Sequence, residues 1–121
     1  MFRFEKLSVW QKAVDFADRV YLVTKTFPAD ERFGLTSQMR RAAVSVSSNV
    51  AEGSGRSSDK DNAHFVETAY GSVMEVVSQT EVSLRQSFLT RQQRDDLYAA
   101  AEELARMLSG LRHSLLGGRD K

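Results

Sequence analysis

Three groups of residues in this sequence have the types and spacing to do chemistry. They are the histidines His64 and His113, the run RRAAVSVSSNVAEGSGR from Arg40 to Arg56, and a set of arginines and lysines around that run. A serine nucleophile needs a neighbouring base, and only His64 or His113 could supply an imidazole. No G-x-S-x-G or other oxyanion signature accompanies them. A di-iron centre in a helical bundle needs Glu-x-x-His pairs. Here His64 and Glu67 have that separation in reverse order, and Gly110 stands where a glutamate before His113 would be required. The loop GSGRSS, Gly53 to Ser58, suggests phosphate binding ahead of a helix, yet it lacks the GxxxxGK[ST] pattern and is followed by Asp59 and Asp61. A small hydrolase or metal protein using His64 and His113 stands as the enzyme-class alternative.

Positive charge is the remaining signal. Arg32, Arg40, Arg41, Arg56 and Lys60 gather around the run and its following loop, against Glu52, Asp59 and Asp61. Arg106, Arg112, Arg119 and Lys121 lie further on. The net charge is only +1, so a local patch, not a global field, would have to attract a nucleic acid. Repeated in a ring-shaped oligomer, such patches would add.

These residues must be positioned by helices. A single proline and clustered glycines argue for long helices with few interruptions. Leu7, Trp10, Ala13/Val14, Ala17, Val20/Tyr21 and Thr24 form one amphipathic stripe, stopped before Pro28. A second helix over about 35–52 has Gly53 as a left-handed C-cap. A third over about 59–87 starts at an N-cap on Ser58 or Asp59, with Phe65/Val66, Ala69, Val73, Val76, Thr80 and Leu84 as its stripe. Thr90 and Gln93 form a capping box ahead of a fourth helix. That helix, over about 91–116, carries Leu97, Ala101, Leu104, Leu108, Leu111 and Leu115, and Gly117-Gly118 end it. The tail GGRDK is expected to fray. The pattern predicts an all-α, antiparallel up-and-down four-helix bundle occupying residues 1–121 as one domain.

On a helical wheel of about 100° per residue, Leu35, Met39, Ala42, Ala43, Val46 and Val50 share the core face of helix two. Gln38, Ser45, Asn49 and Glu52 form a polar ladder on one flank, while Val44 and Ala51 point outward. An outward β-branched residue weakens a helix unless that face is also buried. Phe2, Phe4 and Val9 likewise fall off the stripe of helix one, and together these residues predict a homo-oligomer. Glu52 sits at a helix C-terminus, where the macrodipole disfavours an anion, so Arg56 or another cation should compensate it. Gly71, inside helix three, is expected to contact a facing side chain such as Trp10 or Tyr21.

The chain has no cysteine, which excludes disulfides and thiolate chemistry. MFRFEKLSVWQKAV mixes charge into every turn and does not read as a signal peptide, and no stretch reads as a membrane span. A cytoplasmic location, without membrane contact, is the expectation.

The segments L-x-V-W-Q-K-A at Leu7–Ala13, Phe27-Pro28, Glu31-Arg32-Phe33-Gly34-Leu35, Gln38 to Ser45 and Ser48-Asn49-Val50-Ala51-Glu52-Gly53, then Gly55-Arg56, carry a resemblance. They resemble the four-helix bundle proteins encoded within intervening sequences of bacterial 23S ribosomal RNA genes. Ala69, Gly71, Ser72 and Glu75 fit the same pattern, and the likeness spans about Phe4 to Leu89. The resemblance implies a homopentamer with no enzymatic activity and no cofactor. It is also similar to the accessory variability proteins of diversity-generating retroelements, which implies RNA or a reverse-transcriptase-like protein as a partner. Arg40, Arg41, Asn49, Glu52, Gly53 and Arg56 fall on the family's signature positions. The chain departs at Ser47, where many members carry proline, and in its near-neutral charge. Taking the charge pattern and the helical wheel together with the signature, the candidate nucleic-acid-binding set is Arg40, Arg41, Arg56 and Lys60, and the candidate signature or assembly set is Val44, Asn49, Ala51, Glu52 and Gly53.

Overall fold

A computed structural model describes residues 1–117. Gly118, Arg119 and Lys121 lie outside the described residues, as does the GGRDK tail apart from Gly117. A short 3-10 turn, Arg3–Lys6, leads into α1 (Ser8–Thr24); a second, Ala29–Glu31, lies between α1 and α2 (Leu35–Ser54); α3 (Asp59–Arg85) and α4 (Arg91–Leu115) follow. No strand occurs among the described residues.

Each helix packs on its sequence neighbour, and α1 closes against α4; the backbones of the diagonal pairs do not approach closely. Long-range pairs fix the antiparallel sense. Gly53 of α2 meets Asn62 of α3, while Met39 meets Ser83. Glu81 of α3 pairs with Arg94 of α4, and Glu67 with Arg112. The interior is built from Ala13, Phe16, Val20, Met39, Val46, Val73, Leu104 and Leu108, all at most 2% exposed.

The apolar arc of α1 is wider than its single sequence stripe. Phe16 is buried and Val9 is 6% exposed, because α1 is flanked by α2 on one side and α4 on the other. Val9 is therefore a core residue and carries no sign of an oligomer. Phe4 packs edge-on against Trp10 at 5.0 Å, and Glu5 Oε1 accepts from Phe2 N at 2.7 Å, tying the N-terminal turn down. Phe2 stays 73% exposed.

Helix α2 runs two residues further than its glycine suggested, and this changes the role of Gly53. It is not a left-handed cap: it is buried inside the helix, and the cap falls on Gly55 with an ordinary φ of −89°. A Cβ at Gly53 would lie 2.7 Å from Asn62 Oδ1 and 2.9 Å from Phe65 Cβ. The missing side chain is what lets α2 and α3 cross closely.

Gly71 is the reverse case. It is exposed with nothing within 4 Å, so the expected contact with Trp10 or Tyr21 does not exist. Those residues belong to α1, whose backbone makes no close approach to α3.

The polar side chains of α2 largely satisfy themselves. Asn49 Nδ2 donates to Ser45 O at 2.8 Å, Ser47 Oγ to Val44 O at 3.0 Å, and Ser54 Oγ to Ala51 O at 2.9 Å. Such back-bonding disfavours an isolated helix, but it leaves a smooth, narrow one for neighbours to approach. Ser45 and Ser72 hydroxyls, 3.0 Å apart, join α2 to α3. Tertiary packing, not propensity, holds this helix.

The start of α4 follows its sequence signal: Gln93 N donates to Thr90 Oγ1 at 3.1 Å, and Thr90 N to Gln93 Oε1 at 2.8 Å. The end of α3 comes earlier than expected. Phe88 N bonds to Ser83 O and Ser87 N to Leu84 O, both at 2.9 Å. This is a Schellman cap with Ser87 in the left-handed region at φ 64°.

Candidate nucleic-acid interface

Three arginines come together where the end of α1, the connection to α2 and the first turns of α2 meet. Tyr21, Arg32, Thr36, Arg40, Arg41 and Val44 line an open cleft there of about 460 Å³. Arg40 is built into its wall. Its Nε donates to Thr24 Oγ1 at 2.9 Å, and its guanidinium carbon lies 4.6 Å from the centre of the Tyr21 ring. Thr24 is itself buried and donates to Val20 O at 2.8 Å, so the anchor for Arg40 is fixed by the helix. Arg41 reaches Ser37 Oγ at 3.3 Å from the next turn. Arg32, in the connection, lies 5.5 Å from the centre of the 87% exposed Phe33 ring.

None of these guanidinium groups is among the ion pairs formed by the described residues. Some cations elsewhere are engaged, while Arg3, Lys6, Arg19, Lys25, Lys60, Arg91 and Arg106 are, like the cleft arginines, in no ion pair among the described residues. Arg94 pairs with Glu81 and Asp95, and the Asp95 hydrogen bond first, with Glu81 adding to it, raises its pKa above the ordinary arginine value. Arg112 faces Glu67 at 3.7 Å, and Lys12 faces Glu103 at 3.5 Å.

The sequence-derived basic set therefore splits. Arg40 and Arg41 sit in the cleft, while Arg56 and the exposed Lys60 lie past the other end of α2, roughly 24 Å away along the helix axis. Arg56 is also neutralised: its Nη2 meets Glu52 Oε2 at 2.9 Å and its guanidinium covers the Phe65 ring at 4.5 Å. This is the compensating cation that Glu52 required at a helix C-terminus.

Of the assembly set, Val44 is 39% exposed at the cleft edge, Ala51 is half-buried, Asn49 bonds within its own helix, and Gly53 serves the α2–α3 crossing. The sequence grouped Arg32 with Arg40 and Arg41 but left out Tyr21 as the ring beneath Arg40. Tyr21 precedes Thr24 by one turn, which is the signal that could have placed it.

His64 and His113 are both exposed, and the Glu67–Arg112 pair puts them at the same end of the bundle. Among the described residues no three His, Asp or Glu side chains gather to hold a metal. A second depression, about 420 Å³ and mostly apolar, runs between α3 and α4 past Val77, Val82, Leu97, Tyr98 and Ala101.

The sequence pattern of the 23S rRNA-intervening sequence proteins matches residues 5–110. The chain belongs to that family. The intervening-sequence fold also recurs in a crystal structure of a protein of unknown function, from the S23 ribosomal protein family of Bacteroides thetaiotaomicron. That protein is 22% identical, with a TM-score of 0.79 over 86% of this chain and 94% of its own. No curated protein matches. No helix among the described residues of this intervening-sequence protein is long and apolar enough to cross a membrane.

Proposed function

We propose that this chain is a non-enzymatic binding and assembly module that grips structured RNA by its phosphate backbone through the α1–α2 cleft. One observation carries the reading. Arg32, Arg40 and Arg41 line one cleft together, and none of the three is held in an ion pair among the described residues. Unpaired guanidinium forks suit phosphate oxygens, and their grip depends on salt because counterions are released. The near-neutral chain would rely on repetition: a homo-oligomer, a pentamer in keeping with the family resemblance, presents the cleft once per subunit and gains by multivalency. The exposed Val44, Met74, Val82 and Tyr98 support assembly, since they are apolar side chains left outside the monomer's own core. A cytoplasmic location completes the proposal.

The α3–α4 depression favours a second reading, a protein scaffold that binds no nucleic acid. Retention of a structured RNA at low salt separates the two. RNA binding predicts retention that weakens as salt rises and is lost on combining Arg40→Glu with Arg41→Glu. No retention, or retention indifferent to those changes, would remove the RNA reading and leave the scaffold.

A further inference from the structure

We infer that the α1–α2 cleft is a socket for a terminal phosphomonoester of a single-stranded RNA end, with the adjoining base stacked on Phe33. The inference rests on the RNA reading above and adds which part of the RNA is held.

The cleft has the layout of an end site. It runs from Val44 up to Arg32, and Arg32 belongs to the connection between α1 and α2. That connection joins the two helices at the Arg32 end of the cleft, so a strand end seated there would present its terminal phosphate to Arg32.

The charge fits a dianion. A phosphodiester carries a single negative charge, whereas a terminal phosphate carries about −1.5 to −2 at neutral pH. Arg32, Arg40 and Arg41 supply the matching cations, and the Thr36 and Ser37 hydroxyls on the same wall add donors for the remaining oxygens. Arg40 is preorganised for the task. Tyr21 supports one face of its guanidinium and Thr24 takes its Nε–H, so little side-chain freedom is lost when its terminal nitrogens take up a ligand.

Phe33 supplies what a bare anion site lacks. A phenyl ring 87% exposed beside an arginine cleft has no place in a single chain's core, but an exposed ring in a basic setting is a platform for an unpaired base. Stacking favours RNA over a phosphorylated peptide as the carrier of the phosphate.

The test is fluorescence anisotropy of the full chain with one short single-stranded RNA, labelled internally. Its ends are 5′-phosphorylated, 3′-phosphorylated or both hydroxyl, in about 0.1 M salt, where exposed charges separated by more than ~10 Å are screened. One phosphorylated form should bind roughly tenfold more tightly than the hydroxyl form, which is about 1.4 kcal/mol. That preference should vanish in Arg41→Gln, an exposed site, while Phe33→Ala should weaken the phosphorylated form by roughly tenfold. Circular dichroism of each variant confirms the helices.

Equal binding of all three RNAs would overturn the socket and leave backbone binding in place. No binding of any of them, nor of a structured RNA at low salt, would overturn both. Equal competition by a phosphorylated peptide of the same charge would overturn the assignment to RNA.

Discussion

Alanine at Gly53 would place a methyl carbon 2.7 Å from Asn62 Oδ1, 2.9 Å from Phe65 Cβ and 3.1 Å from the Asn62 carbonyl oxygen. Asn62 is only 8% exposed, so its amide has little room to swing away. Phe65 Cβ is bonded to the backbone of α3, and moving it means moving the helix. Alanine is the better helix former by up to about 1 kcal/mol, less in the last turn, whereas overpacking costs about 1–3 kcal/mol. The overlap wins, and Gly53→Ala should destabilise the fold by about 1–2 kcal/mol. The same substitution at Gly71, exposed with nothing within 4 Å, meets no overlap and should stabilise by about 0.5–1 kcal/mol. In thermal melts at one protein concentration the two variants should move in opposite directions, by about 3–6 °C per kcal/mol. Urea titration followed by circular dichroism gives the free energies. A Gly53→Ala protein as stable as the parent would refute the close α2–α3 crossing. Loss of stability in Gly71→Ala would refute an open outer face on α3.

Other consequences can be checked alongside. Ser87→Gly relieves a left-handed residue at φ 64° and should raise stability by about 0.5–1 kcal/mol in urea; a loss would count against the Schellman cap. Glu52→Gln removes an exposed pair with Arg56, 2.9 Å long, and should change stability by no more than about 0.5 kcal/mol in the same titration. Light scattering of the purified chain should give a mass near five times the 13.6 kDa of one chain; a monomer at micromolar concentration would sink the assembly proposal.

Much of the fold could be read because two signals were unambiguous. The Leu97, Ala101, Leu104, Leu108 stripe has one interpretation, and so does a threonine followed by glutamine three residues later at Thr90 and Gln93. What escaped the sequence depended on neighbours. Gly53 and Gly71 look alike in a string of letters, and only the position of α3 makes one a crossing point and the other an open site. Phe16 was passed over because a stripe drawn for one contact face omits the second neighbour that α1 has in α4. Ser87 holds a conformation usually signalled by glycine, so nothing in its identity announced it.

The candidate site was half legible. Arg40 and Arg41 stood out as basic residues on either side of the outward Val44 and Ala51. Arg32 was grouped with them by charge alone; placing it in one cleft with Tyr21 required the path of the connection after Pro28, which propensities do not determine. Arg56 and Lys60 were grouped with them by closeness in sequence. The length of α2 and the Glu52 pair separate them.

The most direct test of the central claim is the salt dependence of affinity for a structured RNA, comparing the parent chain with Arg32→Gln, Arg40→Gln and Arg41→Gln. A cleft that grips phosphates predicts a linear fall of log K with log salt, and each substitution should flatten the slope by about 1. Slopes identical in all four proteins would contradict it.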